Sequence, residues 1–267
     1  TKKNLLRVTL LVVLFFVCLR AIIRNRKIEG EKLRIILLLG DSGMKRAATA
    51  LSQNLLSCNK LREQSRCDFS SYFGLEYGNP RKEIPYGSGP VHYGKRNRGC
   101  QDCSSCTSST WSCMGNLEVH YIGIEFAKDV IYVTRRFNTT QESVISGYLP
   151  QISSLISVCI FNTGLHDLAL GAKVRDKSSI VESGRIYREN MIFYTSLLLQ
   201  IFDSSKLCWL STTSVRENAI PRKYEMVTNN RNIKYFNKLA SEIMAEKNIK
   251  TVDAFSLSQK EKFASLN

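Results

Sequence analysis

Ser42 stands where a serine could attack an ester. It follows Lys32–Leu39, a β-branched and leucine-rich run that predicts a buried strand, and then the turn residues Gly40-Asp41. Met44, Ala47, Ala48, Leu51 and Leu55 recur at spacings of three and four, which predicts a helix starting beside the serine. A helix start offers unpaired N–H groups and the positive end of its dipole. Both stabilise the oxyanion that forms when a nucleophile adds to a carbonyl. Asp and Ser are also ordinary turn and N-cap residues, so the same tripeptide reads as a cap.

A second strand-to-turn pattern strengthens the first. Leu155–Phe161 is again apolar and ends in Asn162-Thr163-Gly164-Leu165-His166-Asp167. An asparagine at the end of a neighbouring strand can donate its side-chain amide to the same oxyanion; its plainer role is to cap the strand end. His166 offers a base, or again only a strand-end hydrogen bond.

Two such strand ends need a sheet to bring them together. Strand-like runs recur at Glu118–Phe126, Val130–Phe137 and Leu207–Thr213, with a last one at Ile249–Phe255. Ile186–Phe202 reads as a helix. Ile233, Phe236, Ala240, Ile243 and Met244 mark a second, amphipathic one. Strands alternating with helices imply a mainly parallel sheet covered on both faces, with active groups at the carboxyl ends of its strands. Residues 69–115 break the pattern, being rich in Gly, Ser, Tyr, Arg and Cys with Pro80, Pro85 and Pro90, and read as a long insertion.

With these residues in place the chain resembles the SGNH-hydrolase superfamily. In particular it is similar to the branch holding PC-esterase domains, trichome-birefringence-like polysaccharide O-acetyltransferases and sialate O-acetyltransferases. Gly40-Asp41-Ser42 matches the first block and Asn162-Thr163-Gly164-Leu165-His166-Asp167 the asparagine-bearing block. Softer matches are Glu125-Phe126-Ala127-Lys128-Asp129, Thr139-Thr140-Gln141-Glu142, Leu210-Ser211-Thr212-Thr213 and Val252-Asp253-Ala254-Phe255, in the family's order over residues 35–257. The resemblance implies a three-layer α/β/α sandwich with Ser42 as nucleophile. It also implies an oxyanion hole from Asn162, the Ser42 amide and a glycine, for which Gly123 is the choice.

The chain departs from that family in one respect. The family takes its base from an Asp-x-x-His motif after the final strand, the His deprotonating the serine and the Asp fixing its tautomer. The three histidines here are His92, His120 and His166, preceded three positions earlier by Gly89, Leu117 and Thr163. The final strand ends near Phe255 and the sequence at Asn267, so the expectation is truncation just before the motif. A naturally inactive relative is the alternative.

The remaining features concern compartment and partners. Residues 8–19, VTLLVVLFFVCL, carry no charge, and Arg20 separates them from Ala21-Ile22-Ile23 and the basic run Arg24-Asn25-Arg26-Lys27. The 16 residues of 8–23 fall just under the roughly 17–25 that span a bilayer, and Arg7 and Arg20 can snorkel from near the ends. Residues 1–27 are therefore expected to be a signal-anchor with a basic flank, and 28–267 a lumenal SGNH-like domain in the Golgi or endoplasmic reticulum. A cleaved signal peptide and a buried core helix are the rival readings. The first residue is Thr, so the true start is expected upstream. Asn138-Thr139-Thr140 is a glycosylation sequon. Cys100, Cys103, Cys106 and Cys113 could wrap a zinc. In an oxidising lumen they favour disulfides, with Cys58 and Cys67 as further partners. Cys159 and Cys208 lie in apolar strands and read as buried thiols.

No cofactor is called for. The formal charge of +15 suits an acidic glycan but equally describes a solvated face, and no recognised nucleic-acid motif or concentrated basic helix appears. The function expected is an acyl-ester enzyme acting on glycans, an O-acetyltransferase or acetylesterase working through an acyl-serine. A noncatalytic glycan-binding or interaction module is the alternative.

Overall fold

The computed structural model describes residues 34–64, 108–114, 116–124, 149–171, 178–220 and 226–264. The apolar segment 8–23, most of the insertion, Val130–Phe137, the sequon at Asn138, and Cys67, Cys100, Cys103 and Cys106 lie outside them. Among the described residues no helix is long and apolar enough to cross a membrane.

A seven-stranded sheet organises the chain. Its strands are β1 (Arg34–Gly40), β2 (Asn59–Gln64), β3 (Ser108–Cys113), β4 (Leu117–Gly123), β5 (Ile156–Phe161), β6 (Leu207–Leu210) and β7 (Lys250–Val252), in the spatial order β2-β3-β4-β1-β5-β6-β7. Pairs from β4 through β7 are parallel, while β2-β3 and β3-β4 are antiparallel. The mainly parallel sheet expected from the sequence is therefore mixed. Strand β3 also lies within 69–115, so the sheet resumes inside the stretch that reads as insertion. The β3-β4 turn is closed by Asn116 in the left-handed region, φ 52°, a conformation asparagine tolerates better than most residues.

Strand β1 is central, and its sequence shows why. Ile35, Ile36, Leu37, Leu38 and Leu39 are all buried, because helices cover both faces of a parallel interior strand. Ile35, Leu37 and Leu39 join the core formed with α4 (Ser178–Ile201) and α5 (Asn230–Glu246), whose buried stripe includes Ile233, Phe236, Ala240, Ile243 and Met244 as the spacing predicts. Ile36 and Leu38 join a second core with Met44, Ala48 and Leu51 from α1 (Ser42–Thr49) and the π-helical turn after it, and with Trp111 of β3. Each fully buried aliphatic side chain contributes about 1.5–3 kcal/mol. The remaining helices are α2 (Leu149–Ile152), α3 (Leu165–Gly171) and α6 (Ala254–Ala264).

Candidate active site

Strands β4, β1 and β5 are adjacent and parallel, so their carboxyl ends open on one edge of the sheet. Gly40 at the end of β1 is in register with Gly123 at the end of β4. On the other side the Asn162 N–H donates to the Leu39 carbonyl at 3.0 Å. The chain leaves β1 for the flank that ends in β4 and later returns to β5 on the opposite side. The end of β1 is thus a topological switch point, where open α/β sheets place their ligand crevices. The three residues singled out in the sequence, Ser42, Gly123 and Asn162, belong to this one edge: Ser42 opens α1, Gly123 closes β4 and Asn162 follows β5.

The turn from β1 into α1 is rigidly held. Asp41 is the N-cap, its Oδ1 accepting from the N–H of Gly43 at 2.8 Å and of Met44 at 3.4 Å. Capping, the plainer role expected of this tripeptide, is thus present, and it falls to Asp41, one residue ahead of the serine. The Tyr121 hydroxyl reaches the carbonyls of Gly40 at 3.0 Å and Asp41 at 3.1 Å, and Ile124 N–H donates to the Gly40 carbonyl at 2.7 Å. Gly40 has no room for a side chain, since a Cβ there would lie 2.8 Å from the Asn162 carbonyl oxygen and 2.9 Å from Met44 Cβ. Glycine at this position lets β1, α1 and the end of β5 converge.

The end of β5 is tied to the end of β6. Asn162 Nδ2 donates to the Leu210 carbonyl at 2.7 Å and lies 3.5 Å from Thr212 Oγ1, which itself donates to the Thr163 carbonyl at 3.2 Å. The amide expected to face an oxyanion is thus engaged as a strand-end clamp, the plainer of its two expected roles. Asn237 of α5 locks the same segment through two bonds, accepting from Thr212 N–H at 2.9 Å and donating to the Thr212 carbonyl at 2.8 Å. Of the softer sequence matches, those at 125–129 and 139–142 lie outside the described residues, and those at 210–213 and 252–255 meet one strand further on. Phe255 N–H donates to Ser211 Oγ at 3.0 Å, and Ser211 Oγ donates to Asp253 Oδ1 at 3.4 Å.

His166, near the start of α3, faces the same edge. Its Nε2 is 3.9 Å from Asp41 Oδ2, the imidazole about one-third exposed and the carboxylate buried. His120 is engaged elsewhere, on β4, 2.6 Å from Glu118. Asp167 is wholly buried, and Tyr187 donates to the Thr163 carbonyl at 3.3 Å. Burial pushes the Tyr187 phenol far above its ordinary value, with the Asp167 charge adding to it, so Tyr187 stays a neutral donor.

Sequence reasoning did not find Tyr121 or Asn237, and it reached Thr212 only as part of a softer match, without its role in fixing the turns. The available signal was a polar atom inside an otherwise apolar strand or helix stripe, which demands a partner. Cys58 and Cys113 form a disulfide, which removes Cys113 from the four-thiolate zinc set. Cys159 and Cys208 are buried thiols, as expected. Burial, then the neighbouring Cys208, raises the Cys159 thiol well beyond any thiolate range, so it is inert. Among the described residues no group of three His, Cys, Asp or Glu side chains is disposed to hold a metal.

No protein-family model and no curated protein matches the chain. Among solved structures it is similar to the crystal structure of the lipase/acylhydrolase from Enterococcus faecalis. The TM-score is 0.40 at 14% identity, over 84% of this chain and 78% of that one. A similarity that low does not bear on the chemistry of the site.

Proposed function

We propose that the protein is an SGNH-type acyl-ester enzyme that moves or removes an acetyl group on a glycan through an acyl-Ser42 intermediate. The observation that supports this reading is that Ser42, Gly123 and Asn162 lie at or just past the ends of three adjacent parallel strands, on one edge of the sheet. In this reaction Ser42 Oγ bonds to the acyl carbon, the carbonyl electron pair moves onto oxygen, and collapse expels the sugar alkoxide, which takes up a proton. Water or a second sugar hydroxyl then releases the acyl group. The Ser42 amide receives the oxyanion, and Asn162 joins it by giving up its 3.5 Å contact with Thr212 while keeping Leu210; the Gly123 N–H is directed to the β3 side, since its neighbour Ile124 donates to Gly40. The finer assignment, to the PC-esterase and O-acetyltransferase branch in a secretory lumen, draws support from the sequence blocks and from a disulfide suited to an oxidising compartment.

The second reading, a noncatalytic glycan-binding module using the same crevice, draws support from the Asn162 amide being engaged across to β6. Incubation with an activated acetyl ester separates the two. The enzyme predicts one acetyl group on the peptide bearing Ser42 and a turnover that falls at least about 10³-fold in Ser42→Ala. A folded protein that acquires no acetyl group on Ser42 is the module.

A further inference from the structure

We infer that Tyr121 is a positioning residue for the proposed reaction, its hydroxyl setting the direction of the Ser42 N–H, the donor assigned above to the oxyanion. This rests on the reading of that edge as an acyl-transfer site, and it adds a residue that lies outside every block shared with the resembled family. Tyr121 stands on β4, wholly buried, in the core that holds Met44, Ala48 and Leu51 from α1 and the turn after it. From there its hydroxyl crosses to the turn between β1 and α1 and donates to the carbonyls of Gly40 at 3.0 Å and Asp41 at 3.1 Å.

Those two carbonyls belong to the two peptide units ahead of Ser42. A peptide unit is planar and none among the described residues is cis, so each carbonyl points opposite to the N–H of the residue that follows it. Holding the Asp41 carbonyl therefore aims the Ser42 N–H. The same carbonyl accepts from the Lys45 N–H at 3.0 Å, the first bond of α1, so the Ser42 N–H is directed out of the helix start, at the positive end of the dipole. The Gly40 carbonyl is doubly held as well, by Tyr121 and by the Ile124 N–H at 2.7 Å. Asp41 Oδ1 takes the amides of Gly43 and Met44, so of the first three amides of α1 only that of Ser42 is not engaged by the cap.

The hydroxyl matters because little else can stiffen this turn. Gly40 offers no side chain to pack, and the bond from Lys45 to Asp41 is a terminal one, at the end of the helix where fraying begins. Tyr121 ties both peptide units to the neighbouring strand. An oxyanion donor stabilises the transition state most when it is aimed before the reaction starts and needs no reorganisation during it. The tyrosine touches no reacting atom; it acts through the Asp41 peptide unit. Removing only its hydroxyl orphans neither carbonyl, since Ile124 and Lys45 still donate, so Tyr121→Phe is expected to fold.

The test compares the full chain, Tyr121→Phe and Val119→Ala by turnover of an activated acetyl ester, amide hydrogen exchange and thermal melts. Val119 lies on the same strand and in the same core as Tyr121 but makes no bond to the turn, and serves as the control for general loosening. In Tyr121→Phe, kcat is expected to fall at least about tenfold with KM unchanged, short of the roughly 10²–10³-fold loss when an oxyanion donor is removed outright. Exchange at the capped Gly43 amide is expected to quicken about five- to tenfold, while the Asn162 amide, bonded to Leu39, keeps its wild-type rate. Val119→Ala is expected to melt lower with kcat unchanged. A folded Tyr121→Phe with wild-type kcat, a slow one with unchanged exchange at Gly43, or an equal loss of kcat in Val119→Ala overturns the inference and leaves the proposed function standing. A wild-type protein without turnover overturns the proposed function and with it the role of Tyr121, whatever the exchange shows.

Discussion

The two halves of the sheet are held together by different means. The interior strands of the parallel half, β1, β4, β5 and β6, read RIILLLG, LEVHYIG, ISVCIF and LCWL and are buried on both faces along most of their length. The antiparallel flank reads NKLREQ and SSTWSC in β2 and β3, and contributes to the core through Trp111 and the Cys58–Cys113 disulfide. Burial alone fixes a central strand, and every candidate site residue hangs from such a strand. An edge pair of strands with so little apolar surface needs a covalent tie.

Removing that tie gives the largest effect expected. The disulfide spans 55 residues, and the loop-closure model assigns a loop of that length about 4 kcal/mol. The Cys58→Ser/Cys113→Ser variant is therefore expected to unfold at clearly lower urea than the oxidised protein, with the loss at most about 4 kcal/mol. A loss below about 1 kcal/mol would break the comparison, because Trp111 and the ladder hydrogen bonds would then suffice.

Within the parallel half the expected weak point is a backbone position. Gly164 combines a positive φ with neighbours that a methyl group would press, Tyr187 Oη at 3.1 Å and Thr212 Oγ1 at 3.2 Å. Gly164→Ala is expected to cost about 1–3 kcal/mol, read as a lower urea midpoint. A variant as stable as wild type would show that these neighbours do not fix the path into α3.

The same contrast explains what the sequence made legible. Strand-to-turn patterns at Ser42 and Asn162 stand out because a buried run ends abruptly in polar residues. The helix stripe from Ile233 to Met244 stands out because one face is buried. Strand β2 has no such signature, since polar residues suit an edge, and β3 is hidden in Ser- and Cys-rich sequence that reads as insertion. Gly123 is reached only through the family resemblance, because nothing local distinguishes it from other glycines. Tyr121 and Thr212 act across 81 and 50 positions respectively, on Gly40 and Asn162, and such pairings exist only once the sheet is assembled.

The smallest expected effect separates the halves by charge. Glu118 belongs to β4 on the side facing the flank, opposite Ser112 of β3, and Asp253 follows β7 at the far edge of the parallel half. The hydrogen bond from His120 holds the Glu118 carboxyl below its usual range against the opposing effect of burial, and the His120 charge adds to the lowering. For Asp253, burial raises the carboxyl, but hydrogen bonds from Ser256, Ser211 and the Phe255 amide outweigh it and leave a net lowering. A carboxylate with a depressed folded value stabilises the fold above its unfolded value, about 3.9 for Asp and 4.3 for Glu, and that contribution disappears as pH falls through the folded value. Both contributions are therefore full at pH 6 and are lost on the acid side of about pH 4. Asp253 is exposed and screened by solvent, so its share is well under about 1 kcal/mol; half-buried Glu118 against buried His120 carries the larger one. Urea midpoints measured from pH 6 to 3 should fall less steeply in Glu118→Gln than in wild type, and almost in parallel with wild type in Asp253→Asn. The reverse order would place the acid-sensitive contact in the parallel half, beside the candidate site, and not at the junction with the flank.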